Sequence, residues 1–134
     1  IFSVRIAGNF VNEDILGSME FACKLAGTKL VVVLGHTACG AVKGAFDDVE
    51  LGNLTGMLGK IKPAVEAVAE PTDKAFRNSS NIEFVNNVSA KNVDLTIAKI
   101  LAESEVLAEM QKEGSLRIVG AMYNIANGEV VFYE

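Results

Sequence analysis

Histidine occurs once in these 134 residues, three positions before one of the two cysteines, in the run Gly35-His36-Thr37-Ala38-Cys39-Gly40. Imidazole nitrogen and thiolate sulfur are donors that zinc accepts readily, and a tight turn can aim both at one point. Alone the spacing is weak, because a single histidine near a cysteine is usually structural. The same pair also admits a different chemistry, with His36 as the base that activates Cys39 as a nucleophile. Two glycine-rich alternatives fail on the letters. Gly35 and Gly40 have the spacing of a phosphate-binding loop, but Ala41-Val42 stand where a lysine and a hydroxyl are needed. A dinucleotide turn needs a second glycine where Thr37 stands.

The residues that must position this pair lie on either side of it. Leu30-Val31-Val32-Val33-Leu34 is an apolar, largely β-branched run that ends in Gly35, and it reads as a strand buried on both faces of a parallel sheet. His36 and Cys39 then fall at the carboxyl end of that strand, where open α/β sheets bind ligands. A short helix over 41–47 follows, and its amino end directs N–H groups and partial positive charge at Cys39, which suits a thiolate ligand.

The other elements are read from periodicity and punctuation. Ile1 to Ile6 reads as a strand entering the turn Ala7-Gly8-Asn9. Asn12-Glu13-Asp14 opens a helix with Ile15, Met19, Ala22, Cys23 and Ala26 on its apolar side, closed by Gly27, so Cys23 reads as a small buried hydrophobe. A helix over 54–69 contains Pro63, which is expected to kink it. Pro71-Thr72-Asp73 breaks the chain and caps a further helical region through Val88, whose Asn- and Ser-rich middle suits a loop between two helices. Residues 92–112 form a late helix ending at Gly114. Leu116 to Tyr123 is a second apolar strand, and Asn127-Gly128 turns it into an antiparallel edge strand over 130–133. The fold class is α/β, a mostly parallel central sheet flanked by helices with an antiparallel C-terminal edge strand.

Length bounds the chain to one domain. A net charge of −5 with no basic cluster disfavours nucleic acid. No apolar run reaches membrane-spanning length. Half of the residues are hydrophobic, a share that points to apolar surface covered by a second subunit. Two cysteines, one beside the histidine, suit a reducing compartment, and the cytoplasm is the expected location.

The strand followed by Gly-His-x-x-Cys-Gly resembles the beta-class carbonic anhydrases. Val4-Arg5-Ile6-Ala7-Gly8-Asn9 is similar to that family's Arg-x-Ala-Gly-Asn segment, and Ser104-Glu105-Val106-Leu107 and Arg117-Ile118-Val119-Gly120-Ala121-Met122-Tyr123 are similar to its last helix and last parallel strand. The resemblance implies zinc held by His36 and Cys39, with the Gly40 N–H holding a substrate oxygen and Phe21 and Gly35 lining the substrate cleft. It further implies an anion-binding pair, Arg5 and Tyr123, which in some members holds a second bicarbonate together with a tryptophan; this chain has none. The family's third zinc ligand and an Asp-Arg pair belong to a Cys-x-Asp-x-Arg motif upstream of the Arg-x-Ala-Gly-Asn segment. Residues 1–134 are therefore expected to be an N-terminally incomplete carbonic anhydrase-like domain. The upstream part also carries a central strand, so a sheet without it has unpaired edges, which invites swapping or association. The implied function is reversible hydration of carbon dioxide to bicarbonate and a proton by a zinc-dependent homodimer or higher homo-oligomer. The alternative is a non-catalytic scaffold or bicarbonate-binding protein that lacks a complete metal site.

Overall fold

A computed structural model describes residues 1–133. Its sheet has the order β1 (Leu30–His36), β2 (Arg117–Tyr123), β3 (Val130–Phe132). β1 and β2 are parallel, with Leu30 opposite Arg117 and His36 opposite Tyr123, and β3 returns antiparallel with Tyr123 opposite Val130. The α/β class, the parallel pair and the antiparallel C-terminal strand are as the sequence implies. Among the described residues, β1 stands at one edge of this sheet.

One long helix organises both halves of the core. α5 (Ile82–Glu103) starts at Asn81, whose side chain accepts from the Phe84 N–H. It buries Val85, Val88, Ser89, Asn92, Val93, Thr96 and Ile100, a stripe at helical spacing. Toward the sheet, Val93 and Ile100 pack with Val33, Ile118 and Leu116 and with α1 (Glu13–Glu20), which Asn12 caps by accepting from the Ile15 N–H. Phe84, Val85 and Val88 pack instead with α2 (Gly40–Phe46), α3 (Gly52–Gly59) and α4 (Lys62–Ala67), with Phe46 stacked on Phe84 at 4.7 Å. Arg77 closes this second cluster: its guanidinium lies over the Phe84 ring and donates to the carbonyls of Val65, Val68 and Pro71.

Several expectations are corrected. Residues 1–6 form no strand; they are exposed, and their first backbone hydrogen bond is Asn9 N–H to the Ile6 carbonyl, because no strand among the described residues lies alongside to pair with them. β1 is not buried on both faces. Val33 and Gly35 face α5, whereas Leu30, Val32 and Leu34 are 51%, 40% and 46% exposed on the opposite face, which no helix among the described residues covers. Leu16 is buried on α1, and Ala26 is exposed where the helix has widened to a π turn over Phe21–Leu25. The expected helix over 54–69 is two helices, with Pro63 in the first turn of α4, where its missing N–H costs nothing. The late helix is likewise divided at Ser104, which ends α5 and caps α6 (Glu105–Lys112) by accepting from the Leu107 N–H. Its upstream boundary also lies ten residues earlier than position 92, at Ile82. Cys23 is 2% exposed, as expected of a buried hydrophobe, and burial pushes its thiol above the ordinary range.

Candidate metal-binding turn

β1 ends at His36, and the chain must reverse direction within three residues to start α2 at Gly40. Ala38 adopts the left-handed region, with φ 53°, to make that reversal. Three hydrogen bonds from distant parts of the chain fix the turn. The Thr37 N–H donates to the Tyr123 carbonyl at 3.0 Å, which extends the parallel ladder by one residue. The Thr37 hydroxyl accepts from the Ile125 N–H at 3.1 Å. The Ala38 N–H donates to Asn86 Oδ1 at 2.8 Å, tying the turn to α5.

His36 is exposed, and its Nδ1 lies 2.9 Å from the Thr37 carbonyl oxygen. A carbonyl can only accept, so in the neutral imidazole this contact places the proton on Nδ1 and leaves Nε2 as the nitrogen that can ligate a metal. This is the arrangement in which a backbone carbonyl orients a metal-ligating imidazole. Cys39 is a free, half-buried thiol at the N-cap of α2, with φ −60° and ψ 121°. The two donors thus sit at the two ends of one pinned turn. Among the described residues, no third His, Cys, Asp or Glu joins them to complete a metal-binding group. Imidazole and thiol suit zinc in kind, and they fill two of the three protein positions that a catalytic site uses.

The remaining site residues divide. Tyr123 is brought beside His36 by the strand register. Gly40, at the first position of α2, has open space where a side chain would lie. Gly35 faces inward: a Cβ there would stand 2.7 Å from both Met122 Sδ and Val93 Cγ2, so glycine lets β1 lie close on α5. Phe21 is half-exposed and meets the ring of Phe2 at 6.0 Å, and no hydrogen bond or ring contact joins it to the turn. Arg5 is exposed and makes no hydrogen bond or ion pair among the described residues; the register that places Tyr123 does not extend to it. Asn86, which holds the turn from 48 positions away, carried no local signal in the sequence.

Comparison with known proteins bears on this geometry. A family profile described as carbonic anhydrase matches residues 1–130. The chain belongs to the carbonic anhydrase family. Carbonic anhydrase 2 of Mycobacterium tuberculosis is 35% identical over 134 residues, which are 100% of this chain and 63% of that protein. A carbonic anhydrase of Mycolicibacterium smegmatis is 32% identical over 130 residues, 97% of this chain and 61% of that protein. The chain therefore spans less than two thirds of the length of these relatives. Among solved structures, a beta-carbonic anhydrase of Aspergillus fumigatus superposes with a TM-score of 0.84 at 25% identity, covering 98% of this chain and 62% of that one. The carbonic anhydrase fold here is thus that of the beta class, with the His36–Cys39 turn at the carboxyl end of a parallel strand. No helix among the described residues is long and apolar enough to cross a membrane.

Proposed function

We propose that residues 1–134 are the larger part of a beta-class carbonic anhydrase that interconverts carbon dioxide and bicarbonate, with Zn2+ held by His36, Cys39 and a ligand contributed from upstream of Ile1. The observation that carries this reading is the state of His36. Its Nδ1 donates to the Thr37 carbonyl, which turns Nε2 of the exposed ring to the metal as the available donor, three residues before a free thiol. Membership of the carbonic anhydrase family supports it independently.

When bound, zinc supplies the Lewis acidity that makes water a competent nucleophile near neutral pH. The chain's own residues do the rest. The hydrogen bonds from Thr37 and Ala38 hold the backbone of the turn that carries the imidazole and thiol, so less ordering is left to be done on metal binding. The Gly40 N–H, at the open start of α2, orients a substrate oxygen. Tyr123, held beside His36 by the strand register, supplies anion recognition. The assembly is a homodimer or higher homo-oligomer, and the location is the cytoplasm.

A second reading rests on a specific observation: two donors without a third among the described residues suit a bicarbonate-binding or scaffold role. Stopped-flow hydration of carbon dioxide, run with zinc content measured on the same sample, separates the two. Zinc-dependent turnover that His36→Ala abolishes is the expected result for the protein carrying its upstream ligand. A protein that retains no zinc and shows no turnover favours the second reading.

A further inference from the structure

The peptide group between Thr37 and Ala38 is held at both ends by side chains. Its carbonyl accepts from Nδ1 of His36 at 2.9 Å, and its N–H donates to Asn86 Oδ1 at 2.8 Å. Among the described residues it makes no other hydrogen bond. A trans peptide is planar, with its N–H and C=O pointing to opposite sides, so neither end turns without the other. The carbonyl that orients the imidazole is therefore fixed by a residue on α5, 48 positions from Ala38.

This plane needs holding. Ala38 has φ 53°, in the left-handed region where an alanine side chain is strained and glycine is not. Turning the plane over, by about half a turn at Thr37 ψ and at Ala38 φ, would carry Ala38 into the extended region that any residue adopts. It would also swing the carbonyl off His36 and the N–H off Asn86. Alanine at this position favours the flipped plane, and the two side-chain hydrogen bonds oppose it. Only one of them comes from a rigid support. His36 is exposed at the end of β1, whereas Asn86 stands on α5 next to Val85 and close to Phe84 and Val88 in sequence, each of the three at most 1% exposed. The Ala38 N–H can only donate, so the Asn86 amide meets it with its oxygen.

We infer that Asn86 is a positioning residue for His36: it holds the Thr37–Ala38 peptide against a flip and so keeps the imidazole in the Nδ1–H form, with Nε2 as the ligating nitrogen. No hydrogen bond joins Asn86 to His36 directly. The effect passes through one peptide group, whose N–H and C=O bonds strengthen each other by polarisation. With the plane flipped, Nδ1 loses its acceptor and the neutral ring is free to carry its proton on Nε2, the nitrogen that has to meet a metal. The inference about the ring rests on these contacts alone, and its consequence for zinc rests on the function proposed above.

The test reads the ring and the metal separately, in the protein carrying its upstream ligand. Nitrogen-15 spectra of the metal-free protein at alkaline pH report which nitrogen of the neutral His36 ring holds the proton, its signals being those that His36→Gln removes. The parent should be mainly Nδ1–H. Asn86→Ala should lower the ratio of Nδ1–H to Nε2–H roughly fivefold, the worth of one net hydrogen bond. Zinc affinity, measured by chelator competition, should fall by a similar factor. Asn86→Asp keeps an oxygen for the Ala38 N–H and should restore the ratio. Ala38→Gly, added to Asn86→Ala, removes the strain that favours the flip and should recover most of the ratio, which it could not do if the first substitution had only loosened α5. A ratio unmoved by Asn86→Ala, or one that neither Asn86→Asp nor Ala38→Gly restores, overturns the inference. A ratio that falls while zinc affinity holds overturns its consequence for the metal. A parent that binds no zinc, with the ratios as expected, overturns the zinc reading and leaves the positioning of the ring standing.

Discussion

Replacing Gly35 with alanine should destabilise the fold by an amount that the packing sets. The added methyl would lie 2.7 Å from Val93 Cγ2 and 2.7 Å from Met122 Sδ, with the Ser89 carbonyl oxygen at 3.5 Å. Met122 is half-buried and flexible and can move aside, but Val93 is fully buried on α5 and cannot. Overpacking of this kind costs about 1–3 kcal/mol. Alanine recovers about 0.5–1 kcal/mol of that, since glycine loses more chain entropy on folding into a strand. The net loss is about 1–2 kcal/mol, and for a chain of this size Tm should fall by roughly 3–10 °C. Calorimetry of Gly35→Ala beside Gly40→Ala is the assay. At Gly40 nothing lies within 4 Å of the added carbon, so that variant should stay within about 0.5 kcal/mol of the parent. A Gly35→Ala protein as stable as the parent would refute the claim that β1 sits on α5 through a glycine contact.

Further outcomes are expected from individual contacts. Asn86→Ala removes the acceptor for the Ala38 N–H and should cost about 1 kcal/mol; zinc affinity, read by competition with a chromogenic chelator, should fall with it. Ser104→Ala, at a position 1% exposed, removes both the cap on the Leu107 N–H and the hydrogen bond donated to Glu20, and urea unfolding should register a loss of about 1–2 kcal/mol. Burial raises the Cys23 thiol, so the folded state holds that proton to higher pH than the unfolded chain does. Its contribution is complete below about pH 9 and is lost as pH rises beyond it. Stability should therefore decline at alkaline pH, and the decline should be shallower in Cys23→Ala. At a pH of about 8, below the ordinary thiol range, iodoacetamide should modify the native metal-free chain at Cys39 alone, as read by intact mass.

Local patterns carried much of this structure. The β-branched run and the glycine after it define β1 and put His36 and Cys39 at its carboxyl end, and Asn127-Gly128 marks the hairpin. What the sequence could not convey was pairing at a distance. Ile1 to Ile6 has the composition of a strand, yet strandhood needs a neighbour, and none lies beside it among the described residues. For the same reason five apolar residues in a row did not mean burial on both faces of β1. The division of the late helix turned on Ser104, whose side chain prefers capping to the helix interior. At the site, the donors were legible from type and spacing. Their support was not, because Asn86 and Tyr123 reach the turn from other elements.

Metal binding by the protein carrying its upstream ligand and by its His36→Ala and Cys39→Ser variants, measured side by side after gel filtration, tests most directly whether imidazole and thiolate hold the metal together. The cobalt-substituted parent should show a thiolate-to-metal charge-transfer band that Cys39→Ser abolishes, and His36→Ala should lose its retained metal. Undiminished zinc in His36→Ala, or a cobalt spectrum unchanged by Cys39→Ser, would contradict that assignment.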